Sequence, residues 1–534
     1  MSTLVAAEGV PGTVVKASAT GTLGGVNAEQ ENELLSKYLF VVLSSISGTI
    51  LVWRSITLIV KYMRTVSCLN NDTQRFFART SMRAAWFKKN VLYAPVLSKR
   101  HNRELQLSKA INVGTLPTRM QLVFLIGYLA TNIAFCVVAI DFSTKISVTG
   151  KVLRNRTGVL STVNMIPLVL MAGRNNPLIK MIGVSFDTFN LLHRWFGRIV
   201  MLEAVAHVLA YWATQGATQD WGTVISGNLE DPYTLWGFIS VVAFIAITIQ
   251  AASVSRHAFY EIFKLLHIGL AALSIVGLYY HLKLKSLPQI QRSLAKHAVS
   301  RYWQSHPFSV AWSEEAEEPA GEKLPTNRSD ALAARKTTMS FIIRGRTGFT
   351  SSLYKQAAAC TGGKMVTRAL VEGPYGGMHM MHSHGTVMLF AGGVGITQAV
   401  PHVRDLVIGY SNVSVAARKI VLVWIIQSPE HLEWIRPWMT EILALERRRD
   451  CLRIMLFVTR PRSNKQIHSP SATVQMFPGR PNIDTLIGHE MENQLGTLGV
   501  TVCGPGHLSD EVRRAVRNRQ YQGAIDFVEE AFSW

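Results

Sequence analysis

HRWFGRIVMLEAVAH, residues 193–207, and HIGLAALSIVGLYYH, residues 267–281, decide how this chain folds. Each is an apolar stretch closed at both ends by histidine, and in each the interval is 14 residues. Fourteen helical steps of about 100° return the second ring to within about 40° of the first, and about 1.5 Å per step separates them by roughly 21 Å. Each helix therefore presents two imidazoles on one side at two depths. A single histidine near a helix end reads as a satisfied interfacial residue, but the same interval in two helices points to paired axial ligands. If the helices face each other, His193, His207, His267 and His281 form two stacked bis-imidazole sites, one near each leaflet, sized for haem. Six-coordinate iron keeps no open position, so such haems carry electrons rather than activate a substrate.

Working outward, six segments have the length of membrane helices: about 38–60, 120–140, 157–173, 191–213, 235–254 and 260–282. An apolar content of 48% over 534 residues agrees with a chain partly in lipid. The net charge of +21 clusters between spans, the pattern of loops that hold a topology, and argues against nucleic acid. Residues 61–119 carry twelve Lys and Arg, from Lys61 to Arg119, whereas 214–234 carries Asp220, Glu230 and Asp231 and no Lys or Arg. The first connection is thus expected in the cytoplasm and the second outside, with residues 1–36 an extracellular tail. Lys145, Lys151, Arg154 and Arg156 then fall in an outer loop, against the rule. Five scattered cysteines lack the spacing of a disulfide framework or zinc site.

After about residue 284 the composition becomes that of a soluble α/β domain, with strand-like runs at Thr386–Phe390, Ile420–Ile426 and Arg453–Thr459. Residues 314–335 read as a surface linker. LFAGGVGIT, 389–397, runs from an apolar strand into glycines and then a helix, an arrangement that lets a backbone and a helix N-terminus meet a pyrophosphate. VEGPYGG, 371–377, and VTVCGPG, 500–506, add small residues at strand ends on one edge of the sheet. Upstream, WQSHPFSV, 303–310, supplies an aromatic ring and a hydroxyl suited to a flavin, although alone it reads as a strand. MHMMHSH, 378–384, is better read as a loop before a strand than as a soft-metal site, because a short run does not preset ligand geometry.

Together the histidine pairs, HPFSV, VEGPYGG, AGGVGIT, CGPG and the terminal FVEEAFSW resemble the fungal-type ferric-chelate reductases, in the wider ferric reductase and NADPH oxidase family. The resemblance runs from about Arg154 to Trp534 and implies a polytopic helical bundle, then a ferredoxin-reductase-like FAD barrel and an α/β nucleotide-binding domain. It divides the chain at 37–283, 284–385 and 386–534. It implies two haems b, with His193 and His267 on the inner iron and His207 and His281 on the outer. FAD would lie on His306, Pro307, Phe308 and Ser309, with Thr350 at its pyrophosphate. NADPH would be seated by Gly373, Pro374, Gly392, Gly393, Gly395, Ile396, Thr397, Gly504, Pro505 and Gly506, with Cys503 and Phe532 at the hydride-transfer site. The implied partners are the bilayer, ferric chelates with cupric ions as a second acceptor, and a coupled iron permease; the implied location is the plasma membrane.

Two features depart from the family. Gln427 stands where a basic residue usually follows VWII, so the 2′-phosphate of NADPH would fall to Arg460. Between His281 and His306 only 24 residues intervene, too few for the family's further membrane helix and the first barrel strands. An internal deletion and an incomplete barrel are therefore expected, and six spans from an outside N-terminus would leave the flavin domain outside. Two alternatives stay open: a superoxide-generating oxidase, and a catalytically defective remnant that binds haem alone.

Overall fold

A computed structural model of the chain describes residues 20–100, 106–108, 111–112, 116–138, 140–173, 176–252, 260–284, 308–315, 337–345, 349–369, 381–461 and 467–530. Its membrane part is built from α1 (Thr20–Cys68), α2 (Arg119–Val137), α3 (Ile146–Leu170), α4 (Phe186–Gly216), α5 (Pro232–Gln250) and α6 (Tyr260–Leu284). Local chemistry starts these helices. Thr118 and Gln121 form a capping box before α2, Ser185 caps α4 through the Thr188 amide, and Asp231 caps α5 ahead of Pro232. Five helices, all but α3, contain a stretch long and apolar enough to cross a bilayer.

Two expectations need correction. The tail expected over 1–36 is helical from Thr20, because α1 runs for 49 residues, about 74 Å, and overshoots the bilayer. The third span begins at Ile146, so Lys151, Arg154 and Arg156 lie inside a helix rather than in a loop. Hydropathy placed this span only from about residue 157, because its first turns carry polar residues, some of which face protein. Arg156 is 1% exposed and donates to Val138 O, while Asn164 and Ser161 are buried against α2 and α4.

The soluble part holds an antiparallel pair, β1 (Val310–Glu315) and β2 (Thr337–Phe341), followed by α7 (Phe349–Ala359). Beyond it lies a six-stranded parallel sheet: β3 (Thr386–Gly392), β4 (Lys419–Ile426), β5 (Leu452–Val458), β6 (Val474–Pro478), β7 (Leu498–Cys503) and β8 (Ile525–Glu529), in the order β8-β7-β3-β4-β5-β6. Every β3 residue is buried, as a central parallel strand covered on both faces requires. Alternation sends Val387, Leu389 and Ala391 to the face under α8 (Ile396–Ser411), and Met388 and Phe390 to the face under α9 (Ile483–Glu492) and α10 (Gly506–Asn518). The chain steps outward from β3 through β4, β5 and β6, then returns to the other side of β3 as β7. That reversal makes the carboxyl edge of β3 a topological switch point.

The count that left the soluble part outside is overturned by how it docks. The α1–α2 connection, 69–118, packs on the parallel sheet, where Lys88 pairs with Asp526 at 2.6 Å and Arg100 with Glu529 at 2.6 Å. The basic connection and the nucleotide domain therefore share one side of the membrane, and the return between Leu284 and Phe308 falls outside the described residues.

Candidate functional site

The histidine helices lean on different partners, α4 along α3 and α6 along α5. Across the space between them His193 faces His267 and His207 faces His281, each pair with ring centroids 6.3 Å apart. An iron with imidazole nitrogens about 2 Å on either side would hold ring centres roughly 6 Å apart. Both pairs fit one metal.

The second ring nitrogens are committed. His193 Nδ1 lies 3.0 Å from Leu168 O, His207 Nδ1 2.7 Å from Arg154 O, and His281 Nδ1 2.8 Å from Tyr233 O. A carbonyl only accepts, so Nδ1 carries the proton and Nε2 is left as the ligand. Glycines admit the outer rings. A Cβ on Gly158 would come within 2.7 Å of His207 Nδ1, and one on Gly237 within 2.6 Å of His281 Nδ1. Each glycine stands four residues after the carbonyl its histidine uses, one helical turn along the same face. Neither acceptor nor glycine was recognised in the sequence, because each becomes relevant only when a neighbouring helix arrives.

The His193 level lies nearer the nucleotide domain. Arg100 joins Glu529 on β8 to Asp187 at the start of α4, at 2.6 and 3.1 Å. Six residues separate Asp187 from His193 and 20 separate it from His207, about 9 and 30 Å along the axis. Arg198 is exposed and lies 4.8 Å over the Trp195 ring.

At the switch point, AGGVGIT and CGPG interlock. A Cβ on Gly395 would sit 2.1 Å from Cys503 O, one on Gly392 2.6 Å from Pro505 Cδ, and one on Gly504 3.0 Å from Gly392 Cα. Gly393 takes φ +55°, and its carbonyl accepts from Trp424 Nε1 at 3.0 Å. Ile396 and Thr397 are buried at the start of α8, whose N-terminus opens at this edge. Cys503 is 2% exposed, and burial with Glu530 and Glu529 nearby pushes its thiol up to about 12, which keeps it neutral. Burial and Glu529 likewise raise Glu530 to about 7. Glu530 went unassigned in the sequence, although it stands in FVEEAFSW.

Arg460 is exposed, and its amide donates to Gln427 O at 3.0 Å, which sets it beside the residue whose role it was expected to take. Phe308 and Ser309 are half-buried just before β1, and Thr350 is half-buried in the first turn of α7. His306, Pro307, Gly373, Pro374 and Phe532 lie outside the described residues. In the Met/His run, His382 pairs with Asp405 at 2.5 Å and His384 with Asp526 at 3.0 Å. Among the described residues no group of three or more His, Cys, Asp and Glu is placed to hold a metal ion.

A helical membrane domain with paired histidines, joined to a parallel nucleotide-binding sheet, defines a membrane protein of the redox class. Residues 157–278 match the ferric reductase like transmembrane component, and residues 384–517 match the ferric reductase NAD binding domain. The two matches follow the order of a ferric reductase, membrane component first and NAD-binding domain after it. It is 24% identical to ferric reductase transmembrane component 3 of Saccharomyces cerevisiae over 86% of this chain and 74% of that protein. It is 23% identical to ferric/cupric reductase transmembrane component 2 of the same yeast, over 84% and 71%. With ferric/cupric reductase transmembrane component 1 of Candida albicans it shares 24% identity over 80% and 64%.

Proposed function

We propose that this chain is a plasma-membrane ferric-chelate reductase that moves electrons from NADPH through FAD and two bis-histidine haems b to ferric chelates on the far side, with cupric ions as a second acceptor. The observation that carries the reading is the pair of facing histidine couples, each 6.3 Å between ring centroids, with Nδ1 turned to a backbone carbonyl in three of the four rings. FAD would convert a two-electron hydride into single electrons, and haem iron supplies reversible one-electron carriage.

The chain's own residues do the rest. Leu168 O, Arg154 O and Tyr233 O hold the imidazoles in the Nε2-ligating tautomer. The interlocked Gly392, Gly395 and Gly504, with Gly393, Gly506, Ile396, Thr397 and Pro505, offer backbone amides to the nucleotide pyrophosphate. Arg460 meets the 2′-phosphate, and the neutral Cys503 thiol packs at the nicotinamide. Phe308 and Ser309, with Thr350, are assigned to FAD, together with His306 and Pro307; Gly373, Pro374 and Phe532 complete the nicotinamide side. Residues 37–283 form the haem domain, 284–385 the flavin region and 386–534 the nucleotide domain.

The test is optical. Purified protein should show two b-type haems that dithionite and NADPH both reduce, followed by reoxidation with a ferric chelate. Haem that dithionite reduces but NADPH does not would overturn the reductase in favour of a haem-binding remnant, and reoxidation by oxygen with superoxide release and no iron reduction would favour the oxidase.

A further inference from the structure

Between the two histidine levels, α2, α3 and α4 enclose a polar cluster for which electron carriage has no use. Glu203 is 5% exposed, Asn164 0%, Asn132 2% and Tyr128 6%. Asn164 Nδ2 lies 2.9 and 3.2 Å from the two Glu203 carboxyl oxygens and 2.6 Å from Asn132 Oδ1. Tyr128 donates to Asn164 Oδ1 at 2.9 Å, and Asn132 donates to Tyr128 O at 2.8 Å.

One amide with two hydrogens thus serves three acceptors. Among the described residues Asn164 is the only donor to Glu203, and none forms an ion pair with it. A carboxylate at membrane depth with one neutral donor is expensive, and membrane interiors keep such groups for function. The titratable and charged groups facing it are Tyr128 and Cys136 on α2 and Arg156 on α3. On α5 the only acid, base or thiol is Tyr233, in the first turn. Arg156, eight residues from Asn164 on α3, spends its guanidinium on Val138 O.

Position makes the cluster interesting. Glu203 stands 10 residues after His193 and four before His207, about 15 and 6 Å along α4. We propose that Glu203 is a redox-linked proton site: over the pH range in which its carboxyl is ionised in the oxidised protein, it takes a proton from the solvent when an electron arrives on the haem pair, and returns it when the electron leaves. The balance is one electron to ferric iron and one proton to the carboxylate on reduction, with both steps reversed on oxidation. An electron about 10 Å away in a medium of effective dielectric near 20 changes proton affinity on the order of tenfold. Glue between helices would use the same hydrogen bonds but bind no proton on reduction.

The proposal rests on the haem reading, and the experiment separates the two. Full-length protein in lipid nanodiscs is reduced electrochemically while haem absorption and the infrared difference spectrum are recorded, in water and in deuterium oxide. Expected are a protonated-carboxyl stretch that appears on reduction, moves in deuterium oxide and again with [13C]glutamate, and a haem midpoint potential that falls as pH rises. Glu203→Gln should keep the haem bands and lose both signals. Glu530 is another glutamate that titrates near neutrality, so Glu203→Asp makes the assignment even if Glu203→Gln does not assemble: its band should move with [13C]aspartate and no longer with [13C]glutamate. Intact haem bands with no carboxyl signal in wild type, or with the pH dependence surviving in Glu203→Gln, overturn this proposal alone; a chain without haem overturns both.

Discussion

Replacing Arg100 with Met should loosen the nucleotide domain from the haem helices without unfolding either. Arg100 donates to Glu529 at 2.6 Å, to Asp187 at 3.1 Å and to Leu116 O at 3.2 Å, and its own amide donates to Asp510 at 3.0 Å. The three charged side chains are 10%, 4% and 11% exposed, so the pairs are largely desolvated. Removing one member of a buried pair costs about 3–5 kcal/mol. The lower end applies, because Glu529 keeps Arg513 as a second cation. About 3 kcal/mol corresponds to roughly a 100-fold fall in the docked-to-undocked ratio. Methionine keeps most of the aliphatic length, so the loss is of charge rather than packing. Native-state hydrogen exchange is the assay: amides of Ile525–Glu529 and of the first turn of α4 should exchange on the order of 100-fold faster, while those of β3 and β4 hold. Unchanged exchange at those two segments, or uniform acceleration across the sheet, would refute the reasoning.

His207→Ala or His281→Ala should each remove one of two haems from the absorption spectrum and leave the other, because the two levels are about 21 Å apart; pyridine haemochrome stoichiometry checks it. Gly395→Val should abolish nucleotide binding in calorimetry while the haem bands persist, since even a Cβ would meet Cys503 O at 2.1 Å. Asp526 tends upward through burial, but Lys88, His384 and Arg64 overcome this and hold it well below the usual carboxylate range. Its stabilising contribution is present above the unfolded value of 3.8 and is lost as pH falls through the lower folded value, so thermal melts of Asp526→Asn should lack that acid-side loss. Glu530 has the opposite sign: raised to about 7, it stabilises fully below the unfolded value of 4.5 and loses that contribution as pH rises through 7. Glu530→Gln should flatten that part of the melting profile.

Sequence periodicity made the two facing histidine helices legible because fourteen residues is close to a whole number of helical turns, and AGGVGIT lay at a strand end because an apolar run met glycines there. The strands at 386, 420 and 453 were equally plain, since a strand buried on both faces reads as a continuous apolar run. The start of α3 was not legible: Lys151, Arg154 and Arg156 look like a loop until Val138 O takes the Arg156 guanidinium and His207 on α4 meets the Arg154 carbonyl. Nor was the side on which the soluble domain lies, because counting spans treats each crossing as equal and ignores what docks on what.

By itself, then, the sequence determined which residues could ligate iron and which glycines could approach a phosphate, while of the six spans it suggested five are helices apolar enough for lipid. These follow from covalent spacing and side-chain type along one segment. Only the tertiary structure decided that Leu168, Arg154 and Tyr233 carbonyls set the imidazole tautomers, that Gly392 and Gly504 meet, that Arg100 bridges two domains, and that Glu203 is sealed beside Asn164. Each of those contacts joins segments distant in the chain, and their chemistry exists only once packing has excluded water from between them.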